Sequence, residues 1–467
     1  MQYLVIPILI ISLFTTAFGN DTNDCPELLS RVITKTEQEY PGFDQKTKDQ
    51  RAYENFKQAM VEKSKNAPDS LCLDILREYL SYFKDHHLYI SGPGQQSEKE
   101  QPKYYKAIDG EIDDYVQAIT TQPDSIEGIW ESAGYKVGLV KTKNGYNAFI
   151  VEADTNYWKP GGIKFELHPN HKIDFYMRDH SLKSSTYKIF SNTILAVDGL
   201  RSPFIKIKPS PSLSPAEITE KINEVEGFSV KKISEETVLI NLSNFFYSNV
   251  SKIQKMIDEN TDLLQATGNL IIDLRNNPGG TDQAYQQLLS YISTQNIRMM
   301  NAEFLATPTL INGLQNYMDG LPAEKKYNKD RERISKKIGI YKENMYEFVD
   351  MDSTEVYIQE IEPVKNSPEN VIILINGGTA SSAESLTYRA RQSKKVKIMG
   401  TPSGGVLDYG STRWADIGSD DYKLSMPTFR SLRLPDYPID NIGLQPDIYL
   451  DESVADWIQY AQDYLEN

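Results

Sequence analysis

The five apolar residues Val371 to Ile375 constrain this chain more than any other stretch. A continuous apolar run of that length, without polar alternation, reads as a strand covered on both faces. Such a strand needs a layer above and a layer below, which points to an α/β core. Asn376-Gly377-Gly378 ends the run and frees the backbone for unusual angles. Thr379-Ala380-Ser381-Ser382-Ala383-Glu384 follows, and the segment to about Arg391 reads as a helix. A serine placed between strand and helix sits where orphan N–H groups and the helix dipole favour a developing oxyanion. The same position is the usual place of a helix N-cap, which has no catalytic duty. No Gly-x-Ser-x-Gly elbow is present, which argues against an α/β-hydrolase. Val396 to Met399 reads as a further buried strand, and Gly400 to Gly405 as a tight loop.

The strand–glycine–helix pattern starts earlier in the chain. Val238 to Leu242 and Leu270 to Leu274 read as strands, with an amphipathic helix from Ile253 to Leu264 between them. That alternation predicts parallel strands. Arg275-Asn-Asn-Pro-Gly-Gly280 is a second turn whose N–H groups could face an anion, or an ordinary tight turn. It is no phosphate loop, because no Gly-Lys-Ser/Thr follows. Residues 313–350 are Lys-rich and broken at Asp319-Gly-Leu-Pro322, and read as a helical insertion, a candidate lid. Ser453 to Leu465 is a final helix.

Before this core the periodicity is different. Cys25 to Leu88 lacks strand alternation and reads as three helices, the last ending in Phe83-Lys-Asp-His-His-Leu88. The chain has five histidines, at 86, 87, 168, 171 and 180, so candidates for a general base are few. His86 and His87 also fit a helix C-cap. Ile126 to Pro203 shows period-two segments separated by turn residues, a small antiparallel β domain. His168-Pro-Asn-His171 reads as a turn there, since nothing nearby supplies a third metal ligand. The expected architecture is multidomain α+β, with a signal peptide at 1–19, a helical N-terminal domain at 20–110, a β domain at 111–229 and an α/β core at 230–467.

A formal net charge of -15 disfavours nucleic acid as a partner. Leu4 to Phe18 is an uncharged apolar run ending in Ala17-Phe18-Gly19, similar to a secretory signal peptide though without Lys or Arg before it. No second long apolar stretch follows, so no membrane span is expected in the mature chain, which would be periplasmic or extracellular. Export would allow the chain's two cysteines, Cys25 and Cys72, to bridge; two buried thiols are the alternative. Neither has metal-ligand spacing, and no metal or cofactor is expected.

Asn269-Leu-Ile-Ile-Asp-Leu-Arg-Asn-Asn-Pro-Gly-Gly280, then Asn376-Gly-Gly-Thr-Ala-Ser-Ser-Ala-Glu384, Gly400-Thr-Pro-Ser-Gly-Gly405 and Gly443-Leu-Gln-Pro-Asp-Ile448, together resemble the C-terminal processing peptidase and tricorn-core family of serine proteases. The resemblance implies a ClpP/crotonase-like core that cuts peptide or protein substrates. It makes Ser381 the nucleophile and places the oxyanion hole at the N–H of Ser382 and of a glycine in the Asn-Asn-Pro-Gly-Gly turn, Gly279 first with Gly280 behind it. The lysine that one branch carries twenty-five residues after its serine is Val406 here, so the tricorn-like, histidine-dependent branch fits better. In that branch Asp85-His86-His87 supplies the base as His87. An acid must orient that ring, and Asp440 or, behind it, Glu384 is the candidate. No PDZ-like carboxylate loop is present. The family also implies an alternative, a catalytically inactive lipid- or peptide-binding protein on the same core. Oligomeric state has no signal.

Overall fold

The computed structural model describes residues 24–92, 106–121, 126–155, 157–200, 202–352 and 354–467. The expected signal peptide lies outside them. The described chain is mixed α/β, with helices and several sheets forming two compact units. One unit joins the N-terminal segment to Phe304–Val349 and Ser411–Thr428; the other holds the chain from residue 106 to Glu303, Asp350–Gly410 and Phe429–Asn467.

In the first unit, helix Cys25–Glu39 buries Leu28, Leu29, Val32, Ile33 and Thr36, one stripe at helical spacing. Cys25 is disulfide-bonded to Cys72, with the Cα atoms 5.4 Å apart. The bridge ties the first turn of that helix to the first turn of Cys72–Ser81. Helix Pro308–Asp319 in the insertion is fixed to the N-terminal helices through one acid. Glu39, buried, accepts the Thr309 N–H at 3.0 Å and the Lys35 ammonium at 2.7 Å. A carboxylate at a helix N-terminus is favoured by the unpaired N–H groups there. The segment expected to be helical up to Leu88 leaves the helix at Ser81; strand Tyr89–Ser91 then pairs antiparallel with Lys423–Met426.

In the second unit a six-stranded sheet runs Phe228–Lys232, Thr237–Leu242, Asn269–Asp273, Asn370–Ile375, Val396–Gly400, Ile448–Tyr449. The first pair is antiparallel and the rest are parallel. Alternate residues of the central strands go to opposite layers, which explains their apolar runs. Leu270, Ile272, Ile373 and Ile375 pack with Ile253, Leu288 and Leu386 on one side. Ile271, Ile372, Leu374 and Met399 pack beneath Ala461 and Trp457 of the last helix on the other. The helix expected over Ile253 to Leu264 is two helices, Val250–Glu259 and Thr261–Ala266, separated at Asn260.

The period-two region is an eight-stranded antiparallel barrel from Gly128–Ser132 to Phe204–Lys208. The first and last strands pair through Ile129↔Lys208 and Trp130↔Lys206. Closure leaves no open edge to attract a foreign strand. Among the described residues no helix is long and apolar enough to cross a membrane.

Candidate active site

Three loops leave the carboxyl ends of neighbouring parallel strands: 274–281, 376–381 and 401–408. That end of an open parallel sheet is where ligands bind in α/β folds. The first two loops are stitched reciprocally. Asn276 N–H donates to Asn376 Oδ1 at 2.8 Å, and Asn376 Nδ2 donates to Asn276 Oδ1 at 3.0 Å. Ala380 N–H donates to Asn277 O at 2.9 Å, and Thr379 Oγ1 to Leu274 O at 2.8 Å. The third loop joins through Gly404 N–H to Thr379 O at 2.8 Å.

Ser381 sits where these bonds converge, directly before helix Ser382–Ala390. Its backbone has φ 52° and ψ -119°, not the extended angles of an ordinary N-cap. A non-glycine residue held at positive φ is strained by about 1–3 kcal/mol, and such strain gathers at functional positions. A nucleophile elbow uses the same device, a strained strand-to-helix turn that presents a hydroxyl. Here it is built without the Gly-x-Ser-x-Gly pattern.

Glu384 keeps the turn in place. Its side chain is 0% exposed and its carboxylate accepts four bonds. Oε2 takes the N–H of Ser381 at 2.9 Å and of Val406 at 2.8 Å; Oε1 takes Ser403 Oγ at 2.5 Å and Gly405 N–H at 2.8 Å. A carboxylate already serving four donors on the serine turn and the third loop is a positioning group, so it is not the acid that orients an imidazole. Glu384→Gln keeps the shape but turns an NH₂ toward bound N–H groups. We expect a stability loss of about 2–4 kcal/mol by urea unfolding. An unchanged unfolding midpoint would show that these bonds carry little.

Asp440 is placed differently. Its Oδ1 accepts the N–H groups of Leu407 and Asp408, both at 2.8 Å. Asp408 answers by accepting the N–H of Ile439 at 2.8 Å and of Asp440 at 2.9 Å, and its other oxygen takes Arg433 Nη2 at 2.9 Å. Asp408 and Arg433 are both buried. The loop bearing Asp440 is thus pinned to the third loop, and through it to Glu384.

The backbone donors sort themselves. Ser382, the first residue of its helix, and Gly280 have N–H groups with no hydrogen-bond partner among the described residues. Gly279 N–H is committed to Asn277 Oδ1 at 2.9 Å, which removes it as an oxyanion donor. The reason is local: Asn-Pro-Gly closes an Asx turn on that N–H. Gly279 instead lets the two loops touch. A Cβ there would lie 2.6 Å from Ala380 O, 2.7 Å from Ser382 N and 2.8 Å from Ser381 Cβ.

In the first unit His87 follows the end of helix Cys72–Ser81. That helix is capped at Tyr82, so neither histidine caps it. Asp85 Oδ1 accepts the His87 N–H at 2.8 Å, and Asp85 Oδ2 accepts Tyr40 Oη–H at 2.9 Å. Ser425 Oγ donates to His87 O at 3.0 Å. His87 is half-buried on a backbone held from both sides, whereas His86 is exposed. His168, read as part of a turn, lies against Asp174 at 3.0 Å. Among the described residues no group of three or more His, Cys, Asp or Glu could hold a metal ion.

Asn276, Asn376, Asp408 and Arg433 were not read as site residues from the sequence. Asn376 stands directly before Gly377-Gly378 and Asn276 three residues before Gly279-Gly280, so both have a local signal; the Asp408–Arg433 pair has none.

A strained serine at a helix N-terminus, against a glycine turn and beside uncommitted N–H groups, belongs to a serine-type peptidase. Residues 236–450 match the model of peptidase family S41. Among solved structures, mature CPAF aligns with TM-score 0.49 and 13% identity over 95% of this chain and 96% of that one. The photosystem II D1 C-terminal processing protease aligns at 0.35 and 13%, over 93% and 94%. The tricorn protease aligns at 0.42 and 11%, over 95% of this chain and 37% of that one. Comparison with curated proteins gives no match.

Proposed function

We propose that the protein is an exported peptidase that cuts protein substrates through Ser381 on a ClpP/crotonase-like core, with His87 as general base and Asp440 orienting it. Ser381 Oγ attacks the scissile carbonyl carbon while its proton passes to the His87 imidazole. The tetrahedral oxyanion is held by the N–H groups of Ser382 and Gly280. Collapse breaks the C–N bond, and the imidazolium returns its proton to the leaving amine. Water then hydrolyses the acyl-serine by the same route. The observation that carries this reading is the Ser381 backbone at φ 52°, its N–H held by the buried Glu384 carboxylate, which also accepts three donors of the third loop. The Cys25–Cys72 disulfide and the apolar run at Leu4 to Phe18 support export.

A fluorophosphonate probe tests the assignment. It should label the wild-type protein at Ser381. His87→Ala should slow labelling and casein hydrolysis by about 10²–10⁴-fold, and His86→Ala should leave both nearly unchanged. The reverse order would give the base role to His86. No labelling of the native protein, with a lipid co-purifying, would favour the inactive binding protein.

A further inference from the structure

The barrel contains a second arrangement, independent of the peptidase reading. On strand Ile163–Leu167, Phe165 pairs with Ala148 and Ile163 with Phe149, so Lys164 is the extra residue of a β-bulge. Bulges re-aim side chains. Ile163 packs with Ile119 and Phe149 in one cluster, while Phe165 joins Trp158 and Phe175 in the other. Lys164 turns toward the second set and is only 1% exposed.

Its ammonium stands over the rings of Tyr135 at 4.4 Å, Trp158 at 4.5 Å and Phe175 at 4.7 Å. One hydrogen-bond acceptor is in reach, Tyr176 O at 2.6 Å. Three donors, one carbonyl and three ring faces stabilise a buried cation only in part. Burial pushes the Lys164 pKa down to about 8, although Asp179 acts the other way. Beside the ammonium opens a cavity of about 460 Å³, within the range of small-molecule sites. Tyr135, Phe175, Met177 and Phe204 give it an apolar wall, and Arg178 adds a second positive charge against the one carboxylate of Asp154.

We propose that this cavity binds a small carboxylic acid with an apolar body, its carboxylate against Lys164 Nζ and its body along the aromatic wall. An eight-stranded barrel is wide enough to hold one small ligand. A carboxylate would give the ammonium the charged acceptor it lacks, and the same wall would take up the apolar remainder. Lys164 sets the sign at the aromatic wall: an amine placed there would meet its ammonium.

The test is calorimetric titration of the full chain with octanoate, 1-octanol and octylammonium. Octanoate should bind about ten- to a hundredfold more tightly than octanol, and octylammonium most weakly. Lys164→Met, of similar volume without the charge, should erase the preference for the acid. Met177→Trp, which fills the wall and keeps the lysine, should weaken all three. Equal binding of octanoate and octanol, or no binding of either, overturns the proposal. So does octanoate binding that survives both substitutions, since that would place it elsewhere on the chain.

Discussion

Ser381→Ala is expected to lower casein hydrolysis by about 10⁵-fold or more while leaving the unfolding midpoint close to wild type. The two halves of this expectation have separate causes. The side chain is half-buried and takes part in a capping box with Glu384, but two bonds that fix the turn use the backbone: Ser381 N–H reaches Glu384, and Ser385 N–H reaches Ser381 O at 2.8 Å. Alanine keeps both. It keeps the positive φ as well, at about the same strain as serine. What it loses is the only atom able to form the acyl-enzyme. A structural N-cap serine would behave in the opposite way, losing about 1 kcal/mol of stability and no activity. Measuring hydrolysis and urea unfolding on the same preparation separates the two roles. Retained hydrolysis in Ser381→Ala would end the peptidase mechanism drawn through this residue.

The parts of the site that could be read from the sequence are those with local causes. Val371 to Ile375 had to be a doubly covered strand, and Asn370–Ile375 is one. Ser381 at a helix start followed from the order strand, Gly-Gly, small residues. What escaped was set by partners far along the chain. Gly279 N–H is the exception: its acceptor, Asn277 Oδ1, is two residues away, and the choice between two adjacent glycines turned on it. Glu384 looked like a free acid near the serine because its donors at Ser403, Gly405 and Val406 lie about twenty positions on. The β region showed its alternation, but Leu182–Phe190 is too polar to stand out, and closure depends on Ile129 meeting Lys208. Lys164 was hidden for a related reason. Ile-Lys-Phe-Glu-Leu alternates cleanly, and a bulge reverses what alternation says about the lysine.

Gly279→Ala should lower activity by at least about 10²–10³-fold with Ser381, His87 and every donor residue still present. Two penalties coincide at this residue. Its φ is +87°, where a Cβ strains the backbone whatever the surroundings. The added methyl would also sit under 3 Å from Ala380 O, Ser382 N and Ser381 Cβ. Two of those three are backbone atoms, which cannot rotate away, so the two loops must separate by several tenths of an ångström. Ser382 N–H and Ser381 move together, because they belong to one strained turn. Gly280 N–H lies on the opposite loop and is held there by the bridge to Phe245. Separating the loops therefore widens the gap between the two N–H groups that must converge on one oxyanion. The loss should fall on kcat, since the oxyanion exists only after attack. Fluorophosphonate labelling, which also needs those donors, should slow with it. Asn277→Ala offers the contrast: it releases Gly279 N–H from its side-chain acceptor without adding atoms between the loops, so its loss of kcat should be smaller. A Gly279→Ala protein that is folded and cuts casein at the wild-type rate would mean that the close approach of these loops has no part in the chemistry.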